Sequence, residues 1–547
     1  MDEKKRTANG DEGLSPLGIV IGIVGCIIIT ASSVYTALKM GALPWPTIFT
    51  SVTSLVLLRA FGHRSLNEAN VTQIIMSAGS MVAGGLAFTI PGIWMLGLES
   101  ETSWTQMLLV ALSGTLLGLV CTALIRKRLV EDSDLEYPIG VAAAETLRAS
   151  QAGGATGIKL AASMVVAGIW SLARDAFGII PAMLCQLPIP GVAFGLYNSP
   201  MMLSIGFLVG GAAVAFWFAG ALLGNFGIIV AGTGLGLWDL ATAQAIVSSL
   251  GMGLMMGSGL GVVIRDVIPQ LAGYLRGSGE KTASDIQRSD VGILGLLVVG
   301  AALLACLGLG LSPIATIVIV ALGFVTTIMS AQSVGQTGID PMEIFGLIVL
   351  LAIAALGEHD QVKLFFVAGI IAIACGLGGD VMSDFKTGQI IGTNPRKMWV
   401  GQAIGALLGS FVSVAVMVSL AGAYGTSAFG PGQLFVSAQA SVVATMVSGI
   451  PHVPAFALGI VAGIALYCLG LPAMMVGLGV YLPFYLSLSA PIGALAKLVY
   501  DKFAGDKGEG ELGHDDTGII VASGLLGGES IVGVAIALAT VVAGLLG

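Results

Sequence analysis

The sequence predicts an all-α, polytopic membrane protein, and three observations predict it. Of 547 residues, 56% are hydrophobic and only 10% charged, where a soluble domain carries about 25% charged residues. Mean hydropathy is +0.96. Apolar runs of roughly 20 residues recur from end to end, each long enough to cross a hydrocarbon core of about 30 Å, whereas a β-barrel would show short alternating segments. The net charge of −8 is spread through loops. No basic tract with interleaved aromatics points to nucleic acid.

The elements follow in order. The polar stretch 1–15 precedes "LGIVIGIVGCIIITASSVYTAL", a run too long for the apolar region of a signal peptide and therefore a retained first span. Further apolar spans are expected near 44–61, 70–92, 105–125, 159–180, 200–223, 241–264, 291–311, 313–331, 341–356, 363–380, 398–422, 453–470, 472–489 and 518–546. Shorter pieces near 138–150, 226–237 and 436–448 read as half-helices or re-entrant segments. About 14–16 crossings result, with broken or re-entrant helices among them.

Cationic residues orient the array. Lys4, Lys5 and Arg6 precede the first span, Arg59 and Arg64 follow the second, and Arg126, Lys127 and Arg128 follow the fourth. The loop after the third holds Glu99 and Glu101 without Lys or Arg. Because cytoplasmic loops concentrate Lys and Arg, the N-terminus is expected in the cytoplasm of a cell-membrane protein. The loops at 271–289 and 384–397 fall on the same side. The polar segment 501–516 does not fit the count cleanly. The organisation expected is a cytoplasmic tail 1–15, a first transmembrane half 16–270, a cytoplasmic linker 271–290 and a second half 291–547.

The halves echo each other. "TASSVYTALKMGALP" at 30–44 lies over "TIMSAQSVGQTGIDP" at 327–341, matching Thr30, Ser33, Gly41 and Pro44 to Thr327, Ser330, Gly338 and Pro341. "SPMMLSIGFLVGG" at 199–211 lies over "LPFYLSLSAPIGA" at 482–494. Paired repeats with broken helices at matching positions are a transporter signature, with the site between them near the midplane. "GLGGD" and "MGLMMGSGLG" concentrate glycine densely enough to unwind a helix, which survives at membrane depth only beside protein or a watery cavity.

Polar residues inside spans mark the candidate substrate-binding or proton-coupling positions. Asp380 and Asp384 sit four apart, on one face of a helix, just after Gly376 and Gly379; the alternative is a solvated cytoplasmic loop. Asn70, Gln73 and Ser77 run along one helix that begins polar. Glu68, just before them, reads either as part of the site or as an interfacial acid on the helix dipole. Glu145 and Arg148 are spaced to pair. Glu529 stands alone in an apolar final span, a costly placement that ordinarily faces a cavity or carries protons. Tyr35 and Lys39 precede a Gly/Pro break and line the same cavity, unless Lys39 snorkels.

Other chemistry is weakly represented. Six cysteines are scattered singly without metal or redox spacing and read as buried small hydrophobes. His63, His359, His452 and His514 form no ligand pair and read as interfacial. No metal, cofactor or catalytic residue is expected, and any metal carried would arrive chelated. No G-x-x-x-x-G-K-[ST] motif supports direct ATP coupling. The rival readings are a membrane-embedded Mg-dependent enzyme, which needs denser acid clusters, and a passive channel.

These segments also carry a family resemblance. "SDFKTGQIIGTNPRKMWVGQAIG" resembles the long motif of the oligopeptide transporter (OPT) family, to which the yellow stripe-like metal-chelate transporters belong. "NVTQIIMSAGSMVAGGLAFTIPG" resembles its early signature. "EYPIGVAAAETLRAS", "VGLGVYLPFYLSLSAPIGAL" and "SGLLGGESIVGV" resemble further blocks in the same order, so the likeness spans nearly the whole chain. It implies a secondary transporter of about 16 helices, often proton-coupled, importing small peptides or peptide-like chelates by alternating access. Short loops imply a prokaryotic-type member. The early signature often has an acid after Ser-Ala-Gly; Ser80 stands there instead.

Overall fold

The computed structural model describes residues 13–40, 43, 46–133, 135, 137–150, 156–209, 211–262, 264–265, 288–337, 340–448, 450–504 and 517–546. Most of the expected N-terminal tail, most of the 271–290 linker, most of the 501–516 loop and His514 lie outside them, as does the side chain of Glu145. Among the described residues, eight helices are long and apolar enough to cross a membrane, and six shorter apolar helices accompany them.

The helices are α1 (Pro16–Met40), α2 (Pro46–Ala60), α3 (Leu66–Ala87), α4 (Pro91–Met95), α5 (Trp104–Arg126), α6 (Pro138–Ser150), α7 (Thr156–Ser171), α8 (Pro200–Val209), α9 (Gly211–Leu222) and α10 (Leu240–Val262). The second series is α11 (Arg288–Leu303), α12 (Pro313–Thr337), α13 (Met342–Ala355), α14 (Gln361–Gly378), α15 (Asp380–Ile391), α16 (Pro395–Tyr424), α17 (Ala438–Ser448), α18 (Val453–Cys468), α19 (Ala473–Tyr481), α20 (Phe484–Ala504) and α21 (Thr517–Leu546). One antiparallel hairpin, β1 (Met183–Ile189) with β2 (Val192–Tyr197), lies between α7 and α8. Its turn places Pro190 before Gly191, whose φ is +76°, the order a type II turn requires.

Small residues set how the helices pack, as expected where lipid offers no hydrophobic drive between them. Gly401, Gly405 and Gly409 of α16 lie against Val71, Ile75 and Gly79 of α3, so these helices run parallel. Gly114 and Gly118 of α5 lie against Ile370 and Ala374 of α14, also parallel. Gly85 and Met81 of α3 meet Ile373 and Gly376 of α14 in the opposite sense. Outside this core, α7 runs parallel to α21 (Leu160 with Gly524, Met164 with Gly528) and α10 parallel to α18 (Phe456 with Gly253, Ile460 with Gly257).

The pattern is that of an inverted repeat. Pro16–Met40 and Pro313–Thr337 are each 25 residues long, and at the same offset Thr156–Ser171 and Val453–Cys468 are each 16. With α3 matched to α14 and α5 to α16, the α3–α16 pair has α14–α5 as its counterpart, pointing the other way. Two backbone details repeat with it. Tyr137 (φ 51°) and Ser437 (φ 45°) are the only non-glycine residues with positive φ among the described residues. Each leads into a short helix, α6 or α17, and donates its N–H to the opposite half: Tyr137 to Gly335 O and Ser437 to Leu38 O, both at 2.9 Å. The sequence halves are therefore interlocked rather than side by side.

Two expectations change. The "MGLMMGSGLG" cluster does not unwind its helix: α10 is continuous from Leu240 to Val262. Its glycines let α18, Tyr481 and Ile344 approach closely instead. The end of the bundle to which 501–516 connects also becomes clear. Lys159 near the start of α7 donates to Thr517 at the start of α21 at 2.8 Å. α6 runs alongside α15 towards Ile390, whose O accepts from Arg148, and Thr393 bonds Asn67 at the start of α3. The starts of α3, α7 and α21 thus share one end. The segment 138–150 is a short helix entered from depth, as its composition indicates.

Candidate functional site

The first polar centre lies where α3 meets α15. One face of α3 carries Asn70, Gln73 and Ser77, all 0% exposed. Gln73 Nε2 and Ser77 Oγ donate to the two oxygens of Asp384, each at 2.5 Å. Gln73 Oε1 in turn accepts from Ser51 Oγ at 3.0 Å. Asn70 Nδ2 donates to Thr393 Oγ1 at 3.3 Å. Four sequence candidates, Asn70, Gln73, Ser77 and Asp384, are thereby gathered across 300 residues of chain. Asp384 is not in a solvated loop; it is 1% exposed.

The break that positions Asp384 is narrower than its glycines imply. Gly376 and Gly378 remain helical in α14, and the interruption is Gly379 alone (φ −99°, ψ −73°). α15 restarts at Asp380. A Cβ at Gly379 would strike Ser330 and crowd Asp340, so glycine here permits α12 to approach the break. Ser330 Oγ donates to Asp340 Oδ1 at 2.7 Å. Asp380 stands within electrostatic reach of Asp340, Asp384 and Glu343. Asp340 and Glu343 were not among the sequence candidates, although "GIDPMEIF" shows two acids three apart at the mouth of an apolar helix.

The second centre surrounds Glu529, and it corrects the view of that residue as a solitary acid. Glu529 is 1% exposed and accepts from Arg174 Nη2 at 2.8 Å, from Ser199 Oγ at 2.8 and 2.9 Å and from Met201 N at 2.9 Å. The last two donors sit at the start of α8, whose N-terminal amides favour a carboxylate. Arg174 also donates to Asp175 (2.7 and 2.6 Å) and to Asn198 O (2.6 Å). A buried acid requires such pairing. The signal available in the sequence was "LARDAF", an Arg–Asp pair closing an otherwise apolar span.

Tyr35 and Lys39, near the end of α1, border this second centre. The Lys39 ammonium lies 5.7, 6.0 and 5.7 Å from the rings of Tyr35, Tyr197 and Phe435. Tyr197 also faces the Arg174 guanidinium at 5.2 Å. Sequence reasoning missed Tyr197 and Phe435 because the hairpin and the approach to α17 carry no helical periodicity to place them.

Other candidates resolve plainly. Arg148 bonds Ile390 O, and the side chain of its expected partner Glu145 lies outside those described. Glu68 lies in the first turn of α3, which Ser65 caps, and its carboxylate accepts from Ser15 Oγ and lies 2.9 Å from His63 Nδ1. His452 caps α18. Cys26, Cys121 and Cys375 are buried, but Cys185 and Cys468 are exposed and Cys306 half-buried, since the hairpin and the end of α18 face outward.

Comparison with known proteins agrees with this architecture. The family model described as OPT oligopeptide transporter protein matches residues 14–264 and 281–540. A Haemophilus influenzae protein named "Putative oligopeptide transporter" is 24% identical over 92% of this chain and 92% of its own length. Metal-nicotianamine transporter YSL2 of Arabidopsis thaliana is 38% identical over 86 residues, covering 15% of this chain and 13% of its own. Probable metal-nicotianamine transporter YSL16 of rice is 39% identical over 101 residues, covering 17% and 14%.

Proposed function

The chain belongs to the OPT oligopeptide transporter family, and from that premise we propose that it imports small peptides or peptide-like metal chelates across the cytoplasmic membrane, driven by protons. The observation that carries this reading is the Gln73–Ser77–Asp384 network. It places a carboxylate that accepts from Gln73 Nε2 and Ser77 Oγ where the two inverted repeats cross. An intramembrane acid so placed is a proton-relay candidate by default.

The mechanism is alternating access. Because α3 packs along α16 and α14 along α5, the sequence halves do not move as separate blocks. The interlocked four-helix core stays together, and the α7–α21 and α10–α18 pairs shift around it. Asp384 takes a proton within the core. Glu529 takes one at the α7–α21 pair, where neutralising it would weaken its hold on Arg174 and on the start of α8. With the positive loops inside, the N-terminus is cytoplasmic, and gene duplication accounts for the two halves.

Uptake by proteoliposomes tests this. Short peptides and iron chelates are screened with and without an imposed pH gradient. Accumulation against the gradient, abolished by an uncoupler, supports the reading. Uptake that only equilibrates points to a channel. A Mg-dependent reaction without solute movement points to an enzyme.

A further inference from the structure

The two repeats each begin with a helix pair, α1–α2 and α12–α13, and the described residues where each pair joins reach the interior of the bundle. Leu43, in the α1–α2 tip, and Met342, beside the α12–α13 tip, both approach the same point on α3, at Gly84. Met342 also lies against Gly376. The two tips therefore converge, and their charges are opposite: Lys39 ends α1, while Asp340 and Glu343 flank the other tip, facing Asp380.

Neither end is closed by an ion pair: Lys39 lies within electrostatic reach of Asp175, which Arg174 already holds, and Asp340 accepts from Ser330 Oγ on one oxygen. Among the described residues, Lys39 has no hydrogen-bond acceptor and no carboxylate within 4.0 Å; its neighbours are three rings. The hydroxyls of Tyr35 and Tyr197 beside it donate to no residue there either, and Tyr35 is only 6% exposed. An ammonium and phenol O–H groups left without acceptors in a half-buried place are the donors a carboxylate needs. At the acidic end, Asp340 Oδ2 is buried without a hydrogen-bond partner. Glu343 is 3% exposed, and among the described residues no other residue donates to it. Asp380 likewise receives no donor from the described residues.

Carboxyl groups gathered out of water are stabilised by protonation or by a counter-charge. Among the described residues no group of three His, Cys, Asp or Glu is placed to hold a metal ion. A larger, hydrogen-bonding cation fits better.

We propose that the two tips are the two ends of one substrate site: Lys39, with Tyr35 and Tyr197, receives a carboxylate, and Asp340, Glu343 and Asp380 receive an ammonium. The cargo is then a zwitterion with both termini free. This rests on the transporter reading and names the chemistry its site selects.

Binding to the purified full-length protein, read as a thermal shift titration without any gradient, tests it. The probes are trialanine, N-acetyl-trialanine and trialanine amide. Wild type should bind trialanine roughly tenfold or more tighter than either blocked form, as loss of one charge-assisted contact implies. Lys39→Gln should cease to distinguish the amide while still rejecting the acetylated peptide, and Glu343→Gln should do the reverse. Tyr35→Phe, which keeps the ring, should weaken only discrimination against the amide and serves if Lys39→Gln does not fold. Equal binding of blocked and free peptides by wild type, no binding of trialanine, or loss of both preferences in each variant overturns the proposal. Discrimination without accumulation in proteoliposomes would instead overturn the transport reading alone.

Discussion

Gln73 on α3 donates its amide to Asp384 on α15 at 2.5 Å, joining residues 311 apart in sequence across the crossing of the two repeats. Replacing Gln73 by Leu leaves a buried carboxylate with one fewer donor, a cost of about 1–3 kcal/mol. Gln73→Leu should therefore lower the melting temperature by several degrees and reduce uptake strongly. Ser77→Ala removes the other donor and should have a similar but smaller effect. Thermal unfolding in detergent and initial uptake rates check both. Wild-type behaviour in either variant would show that the contact is dispensable.

Arg174 and Glu529 are predicted to differ in what they lose. Arg174→Ala strands Glu529 in a buried place, and removing one partner of such a pair costs about 3–5 kcal/mol. Glu529→Gln keeps one acceptor oxygen, which Ser199 Oγ and Met201 N can share as they share Oε2. The expected order is a large loss of thermal stability for Arg174→Ala and a small one for Glu529→Gln. In transport, Glu529→Gln should impair gradient-driven uptake more than counterflow exchange. Wild-type rates in both assays would remove its proton role.

The left-handed conformation of Ser437, 1% exposed, supplies a third prediction. Such a backbone costs a non-glycine residue roughly 1–2 kcal/mol, and a β-branched one more. Ser437→Gly should hold or raise the melting temperature, and Ser437→Val should lower it while weakening the N–H bond to Leu38 O. Equal stability of the two variants would mean that the entry to α17 is not constrained as observed.

Much of this was legible in the sequence. Span lengths gave the helices, because hydrocarbon thickness constrains them. The repeat was visible in its Pro, Gly and polar positions, and Asn70, Gln73, Ser77 and Asp384 were singled out and lie together. What escaped notice depended on tertiary approach. Arg174 belongs to Glu529 only because α7 and α21 pack in parallel. Tyr197 reaches Lys39 only because a hairpin replaces the expected loop. The glycines of α10 look like helix breakers but serve helix packing, and local composition does not distinguish these uses. Interlocking of the halves is likewise a property of contacts between helices.

The most direct measurement compares wild type and Asp384→Asn in proteoliposomes with an inward proton gradient, following a peptide or chelate shown to be a substrate. Wild type should accumulate it above the external concentration and lose that accumulation with an uncoupler. Asp384→Asn should exchange substrate yet fail to accumulate it. Uncoupler-sensitive accumulation by Asp384→Asn at the wild-type level would contradict the account.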